Sequence, residues 1–69
     1  LVFTREVADE LVLVAVNLTD TAPVFELPEG LAARNWQEWE GDRFAARAQH
    51  LDGEVKVGPC GYRAWRAAL

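Results

Sequence analysis

Leu31-Ala32-Ala33-Arg34-Asn35-Trp36-Gln37-Glu38-Trp39-Glu40-Gly41-Asp42-Arg43-Phe44-Ala45-Ala46-Arg47-Ala48-Gln49-His50-Leu51 is the stretch that decides the fold class of this 69-residue chain. It is rich in Ala, Arg, Glu and Gln, which lose little side-chain freedom in a helix. Ala32, Trp36, Trp39 and Arg43 recur at helical spacing, and so do Phe44, Ala48 and Leu51, which describes two short helices broken at Gly41-Asp42. The same residues read equally well as two short strands, Trp36 to Glu40 and Arg43 to Gln49, turned at Gly41-Asp42. Tertiary context overrides propensity for both element types. The segment therefore leaves two classes open: an all-β chain forming a small antiparallel β-sandwich, or an α+β domain with 31–51 helical.

The flanks speak for strands. From Leu1 to Glu6 the chain alternates, Val2, Thr4 and Glu6 against Leu1, Phe3 and Arg5, the period of an extended strand. After a short turn at Val7 to Glu10, Leu11 to Leu18 is apolar at nearly every position and rich in Val. Such a run suits a central strand covered on both faces. The two strands form a hairpin. Thr19 to Pro23 is turn-forming by composition, Val24 to Leu27 is a short strand, and Pro28-Glu29-Gly30 closes it. Asp52-Gly53 is a turn pair suited to a left-handed residue. Glu54 to Val57 follows with Val55 and Val57 inward, Pro59-Cys60-Gly61 breaks the chain, and Tyr62 to Ala67 alternates Tyr62 and Ala64 against Arg63 and Trp65.

Length allows one domain, and one so small buries only about 60% of the surface its unfolded chain exposes. A core of this size needs a staple. Cys60 is the sole cysteine and His50 the sole histidine, so neither an internal disulfide nor a four-ligand zinc site without several carboxylates is available. The missing support is expected to be another protein surface, in the same polypeptide or in a second copy. The chain opens on Leu1-Val2-Phe3 without Met, and residues 1–69 read as a single piece taken from something longer.

The net charge is −4, with acidic residues gathered at Glu26 to Glu29 and Glu38 to Asp42. A phosphate backbone needs the opposite balance, so nucleic acid is not an expected partner. Leu11 to Val16 is too short to cross a bilayer, and no membrane partner is expected either. No cofactor is expected: Gly30, Gly53 and Gly61 are turn residues and form no phosphate-cradling pattern. Asn17-Leu18-Thr19 fits the glycosylation sequon, a pattern that arises often by chance.

Few residues could carry chemistry. Retaining glycosidases need two sheltered carboxylates about 5 Å apart. Glu38, Glu40 and Asp42 offer the residue type, but beside Arg43 they read as a solvated polar edge. Cys60 and His50 could make a thiolate–imidazole pair, yet they sit on different elements. Cys60 reads as a half-buried turn residue and His50 as a surface loop residue. Asn17, at the end of a buried strand, reads as a side chain that bonds nearby backbone. The aromatic residues are the better candidates, since sugar faces and protein partners both favour Trp and Tyr at a half-wet surface. Trp36, Trp39, Tyr62 and Trp65 are the candidate glycan or domain contacts. In a strand Trp36 and Trp39 fall on opposite faces, which counts against a paired platform.

The order of features carries a resemblance. Val14-Ala15-Val16-Asn17-Leu18-Thr19 is followed by Phe25-Glu26-Leu27-Pro28, by Trp36-Gln37-Glu38-Trp39, and finally by Gly53-Glu54-Val55-Lys56-Val57-Gly58-Pro59-Cys60-Gly61-Tyr62-Arg63-Ala64-Trp65. This resembles the C-terminal β-sandwich domain of the alpha-amylase family of glycoside hydrolases, which includes alpha-glucosidases, cyclomaltodextrinases and trehalose synthases. Val16 to Thr19 matches that family's hydrophobic-Asn-hydrophobic-Ser/Thr step, and Pro59 to Tyr62 its short Pro-containing turn followed by an aromatic residue. Cys60 departs from the pattern, which more often has a bulky or aromatic residue there, and the family usually has one more strand before the hairpin. The resemblance implies that residues 1–69 are one C-terminal accessory domain of two packed antiparallel sheets with a non-catalytic role, the catalytic barrel and its carboxylates lying upstream in the same polypeptide. The implied partners are that barrel and alpha-glucan, with self-association open to the separated domain; a cytoplasmic setting is favoured.

Overall fold

The computed structural model describes residues 1–69. Strand β1 (Val2–Val7) turns at Ala8-Asp9 into β2 (Glu10–Val16), in a register running from Val2 opposite Ala15 to Val7 opposite Glu10. Strand β3 (Val24–Glu26) and a four-residue helix, α1 (Glu29–Ala32), come next. Strand β4 (Gln37–Glu38), β5 (Glu54–Lys56) and β6 (Tyr62–Ala68) complete the chain. One sheet has four strands in the order β1-β2-β6-β4, the other pairs β3 with β5, and every pairing is antiparallel. The fold is an all-β, sandwich-like domain.

Alternation builds the core. Leu11, Leu13 and Ala15 of β2 and Trp65 and Ala67 of β6 turn to one side, where they meet Leu27, Val55 and Val57 from the smaller sheet and Trp36 from the segment before β4. Only 11 of the 69 residues are buried, the expected weakness of a domain this small. Its largest members, Trp36 and Trp65, are 0% exposed, and the Trp36 indole N–H donates to the Leu31 carbonyl at 2.7 Å. Such a contact satisfies the polar edge of a ring that otherwise contributes apolar surface.

The helical alternative for 31–51 does not stand. Only Leu31 and Ala32 lie in α1, and the rest is a bent, irregular hairpin. Trp36 exchanges backbone bonds with Gln49 at 2.9 Å in each direction, Trp39 bridges Phe44, and Glu40 N–H reaches the Arg43 carbonyl at 2.8 Å. Gly41 turns this hairpin with φ of 100°, a conformation open to glycine without steric cost. A helix would set Trp36 and Trp39 on one stripe; the extended chain puts Trp36 in the core and Trp39 on the opposite surface. The paired backbone and the Trp36 burial outweigh the helix propensity of the alanines and arginines.

A second expectation is corrected at β2. The run is central in its pairing, between β1 and β6, but it is covered on one face only: Leu11, Leu13, Ala15 and Asn17 are buried, while Val12, Val14 and Val16 stay half-exposed. The β3–β5 sheet lies over the first set, and nothing in the chain lies over the second.

Candidate docking face

Residues directly opposite each other in a sheet share a face, so the registers lay out the uncovered side of the four-stranded sheet row by row. Leu1, Val16 and Tyr62 form one row, tied by paired backbone bonds between Leu1 and Val16 at 2.8 and 2.9 Å. Phe3, Val14, Ala64 and Trp39 form the next, Trp39 N–H bonding the Ala64 carbonyl at 2.7 Å. Arg5, Val12, Arg66 and Gln37 follow, and Val7, Glu10 and Ala68 close the face at the hairpin end. Two adjacent rows are thus wholly apolar or aromatic. Leu1 is 69% exposed, Tyr62 58% and Phe3 43%, while Val12, Val14 and Val16 are each partly open.

One edge of the face is built by the hairpin before β5. Phe44 meets Trp39 edge-to-face, ring centroids 5.0 Å apart at 66°. The Arg66 guanidinium lies 4.1 Å from the Phe44 centroid, and its Nε donates to Gln37 Oε1 at 3.1 Å. Trp39, Phe44 and Arg66 hold one another in place, which fixes side chains that would otherwise lose freedom on contact with a partner.

The candidate aromatic residues divide between two places. Trp39 and Tyr62 lie on this open face, diagonal neighbours between β6 and the chain just past β4. Trp36 and Trp65 are core side chains with no ring surface to offer a sugar or a partner, because odd spacing along an extended chain sends them inward. Trp65 is further capped by the Arg63 guanidinium, 4.8 Å from its centroid.

Of the carboxylates, Glu38 spends both oxygens on Arg63, at 2.9 and 2.6 Å. Hydrogen bonding to Glu38 raises the Arg63 pKa above its ordinary value, opposed by desolvation and helped by the charge of Glu38. Glu40 pairs with Arg43 at 3.8 Å and Asp42 lies exposed in the Gly41 turn, so the three acids are not gathered into a cleft. His50 is an exposed loop residue bonded to Asn35 Oδ1 at 3.0 Å. Cys60 is exposed rather than half-buried. It occupies the left-handed position of a Gly58-Pro59-Cys60-Gly61 turn, φ 52°, closed by Gly61 N–H to the Gly58 carbonyl at 3.2 Å. The turn geometry points its thiol outward, 3.5 Å from the Thr19 carbonyl. No group of three or more His, Cys, Asp or Glu side chains is placed to hold a metal ion, and no helix is long and apolar enough to cross a membrane.

Asn17 is no glycan acceptor in the folded chain. It is 2% exposed, its amide donates to the carbonyls of Thr21, Val57 and Gly58 at 2.6, 3.1 and 3.1 Å, and its oxygen accepts from Thr19 N–H and Oγ1 at 2.9 and 2.6 Å. The side chain binds the end of β2 to the strand-to-turn exit of β5. Asn at this step, with Thr two residues on, is what that junction requires.

Sequence reading missed Phe3, Val12, Val14, Val16, Phe44 and Arg66 as members of a surface. A signal was present: a run apolar at every position has two faces to cover, and a chain this short has material to cover one. A comparison with known proteins finds no family, no curated protein and no solved structure that matches the chain.

Proposed function

We propose that this chain is a non-catalytic C-terminal domain of an alpha-glucan-active glycoside hydrolase or glucosyltransferase of the alpha-amylase family, packed on the catalytic barrel of the same polypeptide. One observation carries the docking: the apolar rows Leu1–Val16–Tyr62 and Phe3–Val14–Ala64–Trp39 lie open on one side of the sheet. Contiguous exposed apolar surface of this kind marks an interaction site. The choice of partner comes from the resemblance in the Asn17 step and the Pro59 to Tyr62 turn, together with the all-β fold that the resemblance implies. The domain's work is mechanical. Covering the face removes apolar area from water at about 25 cal/mol per Å² and holds the barrel surface beneath it.

The natural reading frame that encodes these residues is the first test, with a barrel expected upstream. The second is truncation before Leu1, which is expected to lower the thermal stability or solubility of the parent enzyme. Unchanged expression, stability and activity in the truncated enzyme would sink the proposal. A second reading, a carbohydrate-binding module, is favoured only by Trp39 and Tyr62 sharing the open face. Titration with maltoheptaose separates the two: a saturable change in Trp39 fluorescence supports stacking, and a flat response supports docking. Separated from its barrel, the domain is expected to self-associate through the same face.

A further inference from the structure

Resting on the docking reading, we propose that the surface received by this sheet face is a protein surface bearing carboxylates, placed to meet Arg5 and Arg66. The chain has 11 acidic residues against 7 basic ones, yet the row next to the apolar pair is Arg5–Val12–Arg66–Gln37, both of its ionised side chains cationic. Arg43 and Arg63 find carboxylates within the chain. Arg5 pairs with none and is exposed. Glu10, the one carboxylate on the face, stands in the next row and bridges neither arginine. Arg66 lies over the Phe44 ring with only its Nε engaged in a hydrogen bond, so its outer N–H groups remain for a partner.

A guanidinium stacked on a ring and weakly hydrated is suited to an interface, where it meets a carboxylate through two parallel bonds. Arg5 and Arg66 stand two strands apart, which sets the receiving carboxylates about 10 Å from one another. The acidic remainder of the chain, Asp9, Asp20, Glu26, Glu29, Asp52 and Glu54 among it, would repel a polyanion such as nucleic acid or an anionic bilayer, and a neutral glucan offers no counter-charge. An apolar protein surface with Asp or Glu opposite the arginine row satisfies both parts of the face. Its role is orientation: two featureless apolar rows could slide on a partner, and a charge pair beside them fixes one register.

The test uses the full-length natural polypeptide and its thermal unfolding midpoint at about 20 mM and about 500 mM salt, between which the screening length falls about fivefold. Arg5→Glu is compared with Lys56→Glu, an exposed cation on the smaller sheet, and with Val14→Asp in the apolar row. Arg5→Glu is expected to lower the midpoint by about 3 °C more than Lys56→Glu at low salt, with the difference shrinking at high salt. Val14→Asp is expected to lower it at both. Equal midpoints for Arg5→Glu and Lys56→Glu, with Val14→Asp still harmful, overturn the acidic counterpart and leave docking intact. A silent Val14→Asp overturns the docking reading, and this inference with it.

Discussion

Arg63 and Glu38 form a forked pair, Nε to Oε2 at 2.9 Å and Nη2 to Oε1 at 2.6 Å, across the junction of β6 with the two-residue strand β4. The same guanidinium reaches the Lys56 carbonyl of the other sheet at 3.2 Å and lies over the Trp65 ring. One side chain therefore ties the short edge strand to the sheet and the two sheets to each other. Glu38→Gln keeps the shape and removes the charge. It is expected to cost about 1 kcal/mol, reduced from the value of a buried charged hydrogen bond because both groups are partly solvated, and urea unfolding reads it. The raised Arg63 pKa means that this contribution is present below the ordinary arginine range and is lost only as pH rises above it.

Asn17 tolerates little. Asn17→Asp turns a donor aimed at the Thr21, Val57 and Gly58 carbonyls into a carboxylate facing them. The expected loss is about 3 kcal/mol or more, a large part of the stability of a small domain. Asn17→Ala is expected to cost about 2 kcal/mol by leaving those carbonyls unpaired. Chemical denaturation at neutral pH ranks the two, and a neutral Asn17→Asp would contradict the geometry.

Two residues other than glycine hold left-handed backbone, Ala8 with φ 55° at the hairpin tip and Cys60 with φ 52° in the Pro59 turn. Glycine adopts this region without the Cβ clash, worth about 1 kcal/mol per site. Ala8→Gly and Cys60→Gly are each expected to raise the unfolding midpoint. Cys60→Gly gains less, since it also gives up the thiol contact with Thr19 while keeping the Cys60 N–H bond to the Thr19 carbonyl at 2.9 Å.

The three tryptophans separate by accessibility. Acrylamide is expected to leave Trp36 and Trp65 emission unquenched and to reach Trp39, so Trp39→Phe removes the quenchable component. Trp36→Ala is expected to cost about 3–5 kcal/mol and to unfold the domain, whereas Trp39→Ala, which loses the Phe44 contact on a half-open surface, costs about 1 kcal/mol.

The strands were legible because their patterns are local. Val55 and Val57 alternate with charged neighbours, and Tyr62 to Ala67 keeps its period of two, so their faces follow from spacing alone. The Gly41-Asp42 turn was legible for the same reason. The 31–51 segment was not decidable, since its alanines and arginines favour helix while the burial of Trp36 depends on residues distant in sequence, Leu13 and Val55 among them. The candidate site was half visible. Spacing placed Trp36 and Trp39 on opposite faces, but which face would stay open depends on the reach of the β3–β5 sheet, and no local pattern encodes that.

The strand order β1-β2-β6-β4 has a consequence for the timing of assembly. Strand β6 is the neighbour of both β2 and β4, with Leu11 opposite Ala67 and Glu38 opposite Trp65. The larger sheet therefore cannot close until the residues of β6 have left the ribosome. Until then the β1–β2 hairpin stands alone, marginal as isolated hairpins are, with the valines and leucines of β2 open on both sides. Non-local pairing of this kind folds in milliseconds to seconds rather than microseconds. A newly made chain thus passes through an interval in which its stickiest strand is unprotected, and any folded neighbour already waiting beside it would act as the template on which it closes.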